Sequence, residues 1–333
     1  MKAIIRTSPG KEFSTMKVMH IDSPITGPHD VKVKMYSSRI NPVDMDLMKG
    51  FPSLRYKNPQ LGGVDGSGIV VDTGSAVHQF KPGDNVFFYR LFSDIGTWAE
   101  EITIPADHVA MIPSNLSILD AGSITLPLLT AFEAILAIQP SPNETILIHG
   151  AGGGVGLQAV QIAVKRGLKV IANASEKDHE VLSEAGINQF IDYKHQDFFQ
   201  VLQQTPPDYV LDLVGKETLI KSIRLRPKAV VSTTFPDVNQ LAKTGVKFPG
   251  ILKFLMRLLN RKYERLAAKN GVRLIGQVTG ANGKLLQNAS DLIGSINPYL
   301  IRSAETLTLD DVSKNGLTKN SIGKILLLHE HQS

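Results

Sequence analysis

Ile146-Leu147-Ile148-His149-Gly150-Ala151-Gly152-Gly153-Gly154-Val155-Gly156-Leu157 reads as a strand, a glycine turn and the first turn of a helix. The opening residues are apolar. The glycines allow a sharp reversal, and Gly156, Ala159, Val160, Ile162 and Ala163 then recur at helical spacing. This arrangement points free N–H groups of a helix N-terminus at a ligand, with no side chains in the way, as an anionic pyrophosphate requires. A glycine-rich string alone is often only a tight turn. Here it opens a series of alternating strands and helices, and that context makes it a dinucleotide site.

Working outward, Thr145–His149 is followed by apolar runs at 169–172, 190–193, 209–213, 229–233 and 274–278, with helices expected from Gly154 to about Arg166 and over 177–185. Six parallel strands with intervening helices make a doubly wound α/β sheet. The first 112 residues are instead β-rich. Residues 31–35 alternate apolar and polar, 68–71 and 85–89 are further short strands, and Gly62-Gly63, Asp72-Thr73-Gly74 and Pro82-Gly83-Asp84 separate them. Residues 283–328 return to mixed structure and close on a strand at 324–328.

The chain has 333 residues and no cysteine, which excludes disulfides, a thiolate nucleophile, Fe–S clusters and Cys-ligated zinc. Lys and Arg number 36 against 31 Asp and Glu, a net +5 that admits phosphate-bearing ligands and does not call for nucleic acid. Arg6 and Pro9-Gly10 come too early for a signal peptide, and Asp120, Pro127 and Glu133 interrupt the apolar stretch 116–138. A soluble cytoplasmic protein without a transmembrane segment is expected.

The second strand of the series ends Asn173-Ala174-Ser175-Glu176-Lys177. An acid closing this strand would bind a ribose 2′-hydroxyl, whereas Ser175 and Lys177 can donate to a 2′-phosphate. Glu176 argues for NAD(H), and the balance favours NADPH. Alternatively, Ser175 caps the next helix and Lys177 is plain surface.

Residues 247–270 carry apolar positions at helical spacing with Lys253, Arg257, Arg261, Lys262 and Arg265 between them, a basic amphipathic helix. The expected arrangement is a helix packed on its own domain with a solvated basic face. Contact with a membrane surface and a lid over an apolar pocket are the alternatives.

The glycine turn, Asn41-Pro42-Val43-Asp44, Gly63-Val64-Asp65-Gly66-Ser67-Gly68, Phe80-Lys81-Pro82-Gly83-Asp84-Asn85-Val86, Leu126-Pro127-Leu128-Leu129-Thr130-Ala131, Ile191-Asp192-Tyr193 and Gly323-Lys324-Ile325-Leu326-Leu327 fall in one order along the chain. Together they resemble the medium-chain dehydrogenase/reductase superfamily, and within it the zinc-free quinone oxidoreductase, or zeta-crystallin-like, branch. The resemblance implies a doubly wound parallel Rossmann sheet (residues 119–278) inserted in a GroES-like β-rich catalytic domain formed by residues 1–118 and 279–333, and suggests a homodimer.

It also implies roles. Asn41 and Asp44 would lie near the nicotinamide and substrate, or else form a polar turn around Pro42. Thr130 would bond the nicotinamide or ribose, and Gly153, Gly154 and Val155 would present backbone to the pyrophosphate. Ser175, Lys177 and Tyr193 would surround the 2′-phosphate, and Thr233 and Val278 would lie by the ribose and nicotinamide. Where zinc-dependent members hold metal through cysteine and histidine, this chain has Asn41 and Val64. No metal is expected, and His329 and His331 are read as surface.

Without a Lewis acid to lower an alcohol's pKa, the expected reaction is NADPH-dependent reduction of a quinone or an α,β-unsaturated carbonyl. Asp46, Met48 and Lys49 stand where relatives often place a tyrosine or basic residue, so no proton donor is assigned there. Two other readings stay open. One is a non-catalytic NADP(H)-binding sensor, or an RNA- or membrane-surface-binding protein of the same fold. The weaker is a zinc-type alcohol dehydrogenase.

Overall fold

A computed structural model describes residues 1–7, 16–44, 60–92, 96–235, 237–296, 300–301, 305–315 and 325–328. Asp46, Met48, Lys49, Lys324, His329 and His331 lie outside the described residues.

The strands in chain order are β1 (Lys2–Arg6), β2 (Met16–His20), β3 (Asp30–Arg39), β4 (Gln60–Leu61), β5 (Asp65–Thr73), β6 (Asn85–Tyr89), β7 (Glu101–Pro105), β8 (Val109–Met111), β9 (Thr145–His149), β10 (Lys169–Ala174), β11 (Gln189–Asp192), β12 (Tyr209–Asp212), β13 (Ala229–Ser232), β14 (Arg273–Gly276), β15 (Glu305–Thr308) and β16 (Ile325–Leu328). Strands β9 to β14 form a parallel sheet in the order β11-β10-β9-β12-β13-β14. The order reverses between β9 and β12, beside the glycine turn, and this reversal opens a crevice at the strands' C-terminal ends.

Burial along β9 explains its unbroken apolar run. Ile146 and Ile148 face one core and Leu147 the other, as period-2 geometry demands of a strand covered on both sides. Behind the turn, helix α1 (Ile118–Ile138) packs on α2 (Gly154–Lys165). A Cβ on Gly156 would meet the Gly150 carbonyl oxygen at 2.2 Å, so only glycine lets α2 start this close to the turn.

A seven-stranded sheet joins β15, β16, β3, β5, β6 and β8, with β7 paired to β3, so both chain ends build it. A third sheet has the order β2-β1-β4. Helix α1 bridges the layers. Its Leu128, Leu129 and Phe132 share one core with Val64, Phe87 and Tyr89 on one side and with Ile146 and Ile148 on the other.

This helix bears on the expectation of no transmembrane segment. By length and composition Ile118–Ile138 could cross a membrane despite Asp120, Pro127 and Glu133, yet 78% of its most apolar window is buried inside the protein. Its hydrophobicity serves the interface between layers. Among the described residues no other helix passes that test.

Pro127 sits inside α1 and has no N–H for the Ser123 carbonyl one turn earlier. Arg39 Nη1 donates to that carbonyl at 2.7 Å, and the neighbouring Leu126 N–H donates to Asp65 Oδ2 at 2.9 Å. Two charged side chains of the β-rich half thus satisfy the break in the helix.

The segment expected as a helix over 177–185 starts as a 3-10 turn, Glu176–Asp178, and becomes α-helical only over His179–Glu184. Strands β13 and β14 end before Thr233 and Val278, which leaves both residues on the loops that face the crevice.

Candidate functional site

A cleft of about 610 Å³ opens between the two large sheets, within the range of small-molecule sites. Asn41, Thr130, Gly154, Val155, Thr233 and Val278 line it together. They come from five separate parts of the chain. Val43, Phe92, Leu126, Leu241 and Phe248 add apolar wall.

Gly153 is the N-cap of α2, with Gly154 and Val155 in its first turn. Gly150 holds a positive φ of 71°, and the Gly153 N–H turns back to the Gly150 carbonyl at 3.0 Å. The first-turn N–H groups have no partner within the helix and carry the positive end of its dipole. An anionic pyrophosphate fits this cradle.

Below the cradle, buried His149 is held from both ring nitrogens. Asn173 Nδ2 donates to Nδ1 at 2.7 Å, and Nε2 lies 2.9 Å from Ser222 Oγ, whose own proton goes to the Thr218 carbonyl at 2.8 Å. The network therefore assigns the proton to Nε2. Burial pulls the His149 pKa down to about 3. Because the folded value lies below the unfolded one, His149 stabilises the fold fully above pH 6.5 and loses that contribution as pH falls toward 3. His149→Gln is expected to reduce the drop in Tm between pH 7 and 4; an unchanged drop counts against this assignment.

Ser175, Lys177 and Tyr193 do not line the cleft. They lie at the C-terminal ends of β10 and β11, where the Tyr193 N–H donates to the Ala174 carbonyl at 3.2 Å. Lys177 and Tyr193 are exposed, and the Ser175 side chain makes no capping bond to the turn it precedes. The acid that approaches the glycine turn is Asp178 rather than Glu176. A Cβ on Gly152 would fall 2.3 Å from Asp178 Oδ2.

At the opposite end, Asn41 bridges two buried carboxyls. Its backbone N–H donates to Asp44 Oδ2 and its Nδ2 to Asp65 Oδ1, each at 2.7 Å. Burial, with Asp65 alongside, holds the Asp44 carboxyl well above its usual range. Burial pushes Asp65 up to about 6 against its hydrogen bonds from Leu126 and Asn41. Asp44 does not reach the cleft. It lies behind Asn41, and Asp44 Oδ1 has no hydrogen-bond partner among the described residues. Its place is to hold the turn that presents Asn41.

Several cleft residues carry no recognisable motif. Tyr89, the last residue of β6, lines the cleft, and no described residue hydrogen-bonds its hydroxyl. Burial, then the fields of Asp65, Asp44 and Glu133, push its pKa well up, which keeps it a proton donor. A tyrosine ending an otherwise apolar buried strand was the one available signal, since a buried phenol needs an outlet for its hydroxyl. Thr279 Oγ1 lies 2.9 Å from Thr130 Oγ1, and Gln277 Nε2 donates to Glu133 Oε2 at 2.9 Å. These polar groups form one end of the cleft.

Comparison with known proteins bears on the fold and the family. The alcohol dehydrogenase GroES-like domain matches residues 27–114 and the zinc-binding dehydrogenase domain matches residues 154–232, together about half of the chain. A quinone oxidoreductase from Mus musculus is 28% identical over 226 residues, covering 64% of this chain and 68% of its own. The structure of the quinone oxidoreductase from Coxiella burnetii superposes with a TM-score of 0.80 at 26% identity, covering 99% of each chain. Escherichia coli quinone oxidoreductase, solved in complex with NADPH, gives a TM-score of 0.75 at 22% identity over 99% of this chain and 100% of its own.

The zinc of zinc-binding dehydrogenases does not fit the residues present. The Asn41 amide is committed as a donor to Asp65 and Val64 offers no ligand atom, which leaves Asp65 of the three ligand positions, and both its oxygens already accept from Asn41 and Leu126. Among the described residues no cluster of three His, Cys, Asp or Glu side chains could hold a metal ion. With its Rossmann sheet, its GroES-like half and its quinone oxidoreductase relatives, the chain belongs to the medium-chain dehydrogenase/reductase superfamily, in the quinone oxidoreductase branch.

Proposed function

We propose that this protein is a zinc-independent, NADPH-dependent oxidoreductase that delivers hydride to a quinone or an α,β-unsaturated carbonyl. The observation that carries this reading is the convergence of Asn41, Tyr89, Thr130 and Val278 on one largely apolar cleft at the open end of the glycine-turn helix. The nicotinamide, when bound, supplies the hydride, and a conjugated substrate spreads the resulting charge without a Lewis acid.

The chain's own residues do the rest. Val155 and the first turn of α2 hold the pyrophosphate, and Ser175, Lys177 and Tyr193 hold the 2′-phosphate. Thr130 and Thr279 bond the nicotinamide end. Asn41, fixed by Asp44 and Asp65, orients the substrate carbonyl. Val43, Phe92 and Phe248 exclude water and strengthen these polar contacts. Tyr89 donates the proton that completes reduction of an enone, in which the hydride forms a C–H bond at the β-carbon and the enolate takes the phenolic proton. Solvent then returns a proton to the phenolate.

The Asp178 carboxyl beside Gly152 favours NAD(H) as a second reading of the cofactor. Purified protein with NADPH or NADH and a panel of quinones and enones, followed at the nicotinamide absorbance with and without a chelator, tests both points. Expected are turnover indifferent to chelation, a lower KM for NADPH, and reversal of that preference in Lys177→Glu. No turnover on any substrate, or loss on chelation, contradicts the activity, and a lower KM for NADH assigns the ribose to Asp178.

A further inference from the structure

Helix α3 (Gly250–Asn270) has two apolar faces. Leu252, Met256, Tyr263, Leu266 and Ala267 face the protein, where Leu252 and Met256 pack against the cluster of Val238, Leu241, Val246 and Phe248 and Tyr263 meets Phe235 edge to face. Ile251, Phe254, Leu255, Leu258 and Leu259 are 69%, 59%, 47%, 54% and 70% exposed, with Phe254 and Leu258 also on the wall of a groove shared with Phe235 and Leu274. Their spacing of three, one, three and one places them on a single stripe. Among the described residues thirteen large apolar side chains are exposed, and five of them fall within these nine positions. The expectation of a packed helix with only a basic face in water is therefore corrected.

Charge accompanies the stripe. Lys253, Arg257, Arg261, Lys262, Arg265 and Lys269 stand against one acid, Glu264, a net +5 that equals the net charge of the whole chain. Arg257 and Arg261 run along one side of the apolar patch, Lys262, Arg265 and Lys269 continue its line along the helix, and Lys253 lies on the opposite side. None of the six forms an ion pair among the described residues; Arg257 reaches Asn239 Oδ1 at 3.5 Å, and Lys262 lies over the Tyr263 ring.

We infer that α3 docks the protein on an anionic lipid bilayer, with the Ile251–Leu259 stripe in the acyl boundary and the basic side chains on the headgroups. A second copy of this chain is the poorer occupant, because a two-fold contact through the stripe would oppose two helices of net +5. RNA is also poorer, since four of the five exposed apolar residues are aliphatic and offer bases no stacking surface. The helix begins two residues after Phe248, which lines the cleft, so docking would bring the cleft near the phase in which apolar conjugated carbonyls dissolve. That consequence rests on the reductase reading, whereas the docking itself does not.

The 333-residue chain has no cysteine, so Leu259→Cys takes one environment-sensitive fluorophore, with Lys81→Cys as the control. Vesicles of about one third phosphatidylglycerol in phosphatidylcholine are compared with pure phosphatidylcholine vesicles by flotation and emission. Docking predicts flotation with anionic vesicles only, a blue shift at position 259 and none at 81, and weakening as salt rises from about 0.05 to 0.5 M.

Phe254→Ser/Leu258→Ser should weaken binding on the order of 100-fold. Arg261→Gln/Lys262→Gln/Arg265→Gln should do the same at low salt and flatten the salt dependence. Three results overturn the proposal: no flotation at low salt; a blue shift without vesicles that accompanies a doubled mass abolished by Phe254→Ser/Leu258→Ser, which gives the stripe to a second copy; or binding to RNA or an acidic peptide but not to vesicles. Enzyme activity enters none of these readouts.

Discussion

Asp65→Ala is expected to lower unfolding free energy by about 3–5 kcal/mol and Tm by on the order of 10 °C. The reason is double dependence. Asp65 Oδ1 accepts from Asn41 Nδ2 and Oδ2 from the Leu126 N–H, and both donors are left without that acceptor when the carboxyl goes. Leu126 matters because the following Pro127 already interrupts α1, the helix that joins the two layers. Asp65→Asn keeps one acceptor oxygen and should cost about half as much.

The pH dependence has a definite sign. The folded pKa of Asp65, about 6, lies above the ordinary carboxylate value of 3.8. The folded state therefore holds the proton more tightly, so stability from this group is full below about pH 4 and declines as pH rises through about 6. His149 acts oppositely and Asp44 in the same direction as Asp65, so wild type alone shows only their sum. The difference between wild type and Asp65→Asn, read by thermal unfolding at several pH values, reports the Asp65 titration together with its push on Asp44. An Asp65→Ala protein as stable as wild type would show that α1 does not lean on this carboxyl.

Tyr89→Phe is expected to lower kcat for an enone on the order of 100-fold, with KM for substrate and cofactor nearly unchanged. The phenolic oxygen is lost while the ring, packed edge to face on Phe92 with centroids 6.5 Å apart, stays in place. A quinone places a different demand on the site. Its hydride adduct is already a stabilised phenolate that water can protonate, so the loss there should stay below about tenfold. Steady-state kinetics on one enone and one quinone, with solvent isotope effects, distinguishes the outcomes. Equal losses on both substrates would assign Tyr89 to packing, and no loss on either would remove it from the chemistry.

How much of this could be read in the sequence differs by region. The β9 turn and α2 were legible because local rules coincide there: an apolar strand, glycines where backbone must approach backbone, and a helical period. The basic helix had its limits legible but its orientation hidden. Periodicity finds an apolar stripe, and with Leu252, Met256 and Tyr263 available as well as Ile251, Leu255 and Leu258, it cannot say which stripe turns inward.

Asn41 and Thr130 were reachable through the family pattern. Tyr89 was outside that pattern, and its one signal, a tyrosine at the end of the buried strand Asn85–Tyr89, does not by itself mark a site. The roles of Arg39 and Asp65 in mending α1 were out of reach for a different reason. They depend on pairings across 84 and 61 residues, which no local pattern encodes. Asp178 had no signal of its own, because the 3-10 turn 176–178 that brings it under Gly152 and leaves Glu176 in solvent is not written in the local pattern.

The most direct test of the proposed reaction is label transfer. NADPH carrying deuterium at the reactive nicotinamide carbon is incubated with the protein, a chelator and an enone, and the product is analysed by mass spectrometry. One deuterium bound at the β-carbon, with none at the α-carbon in ordinary water, is the predicted result. An unlabelled product, or transfer that occurs only when zinc is supplied, would contradict it.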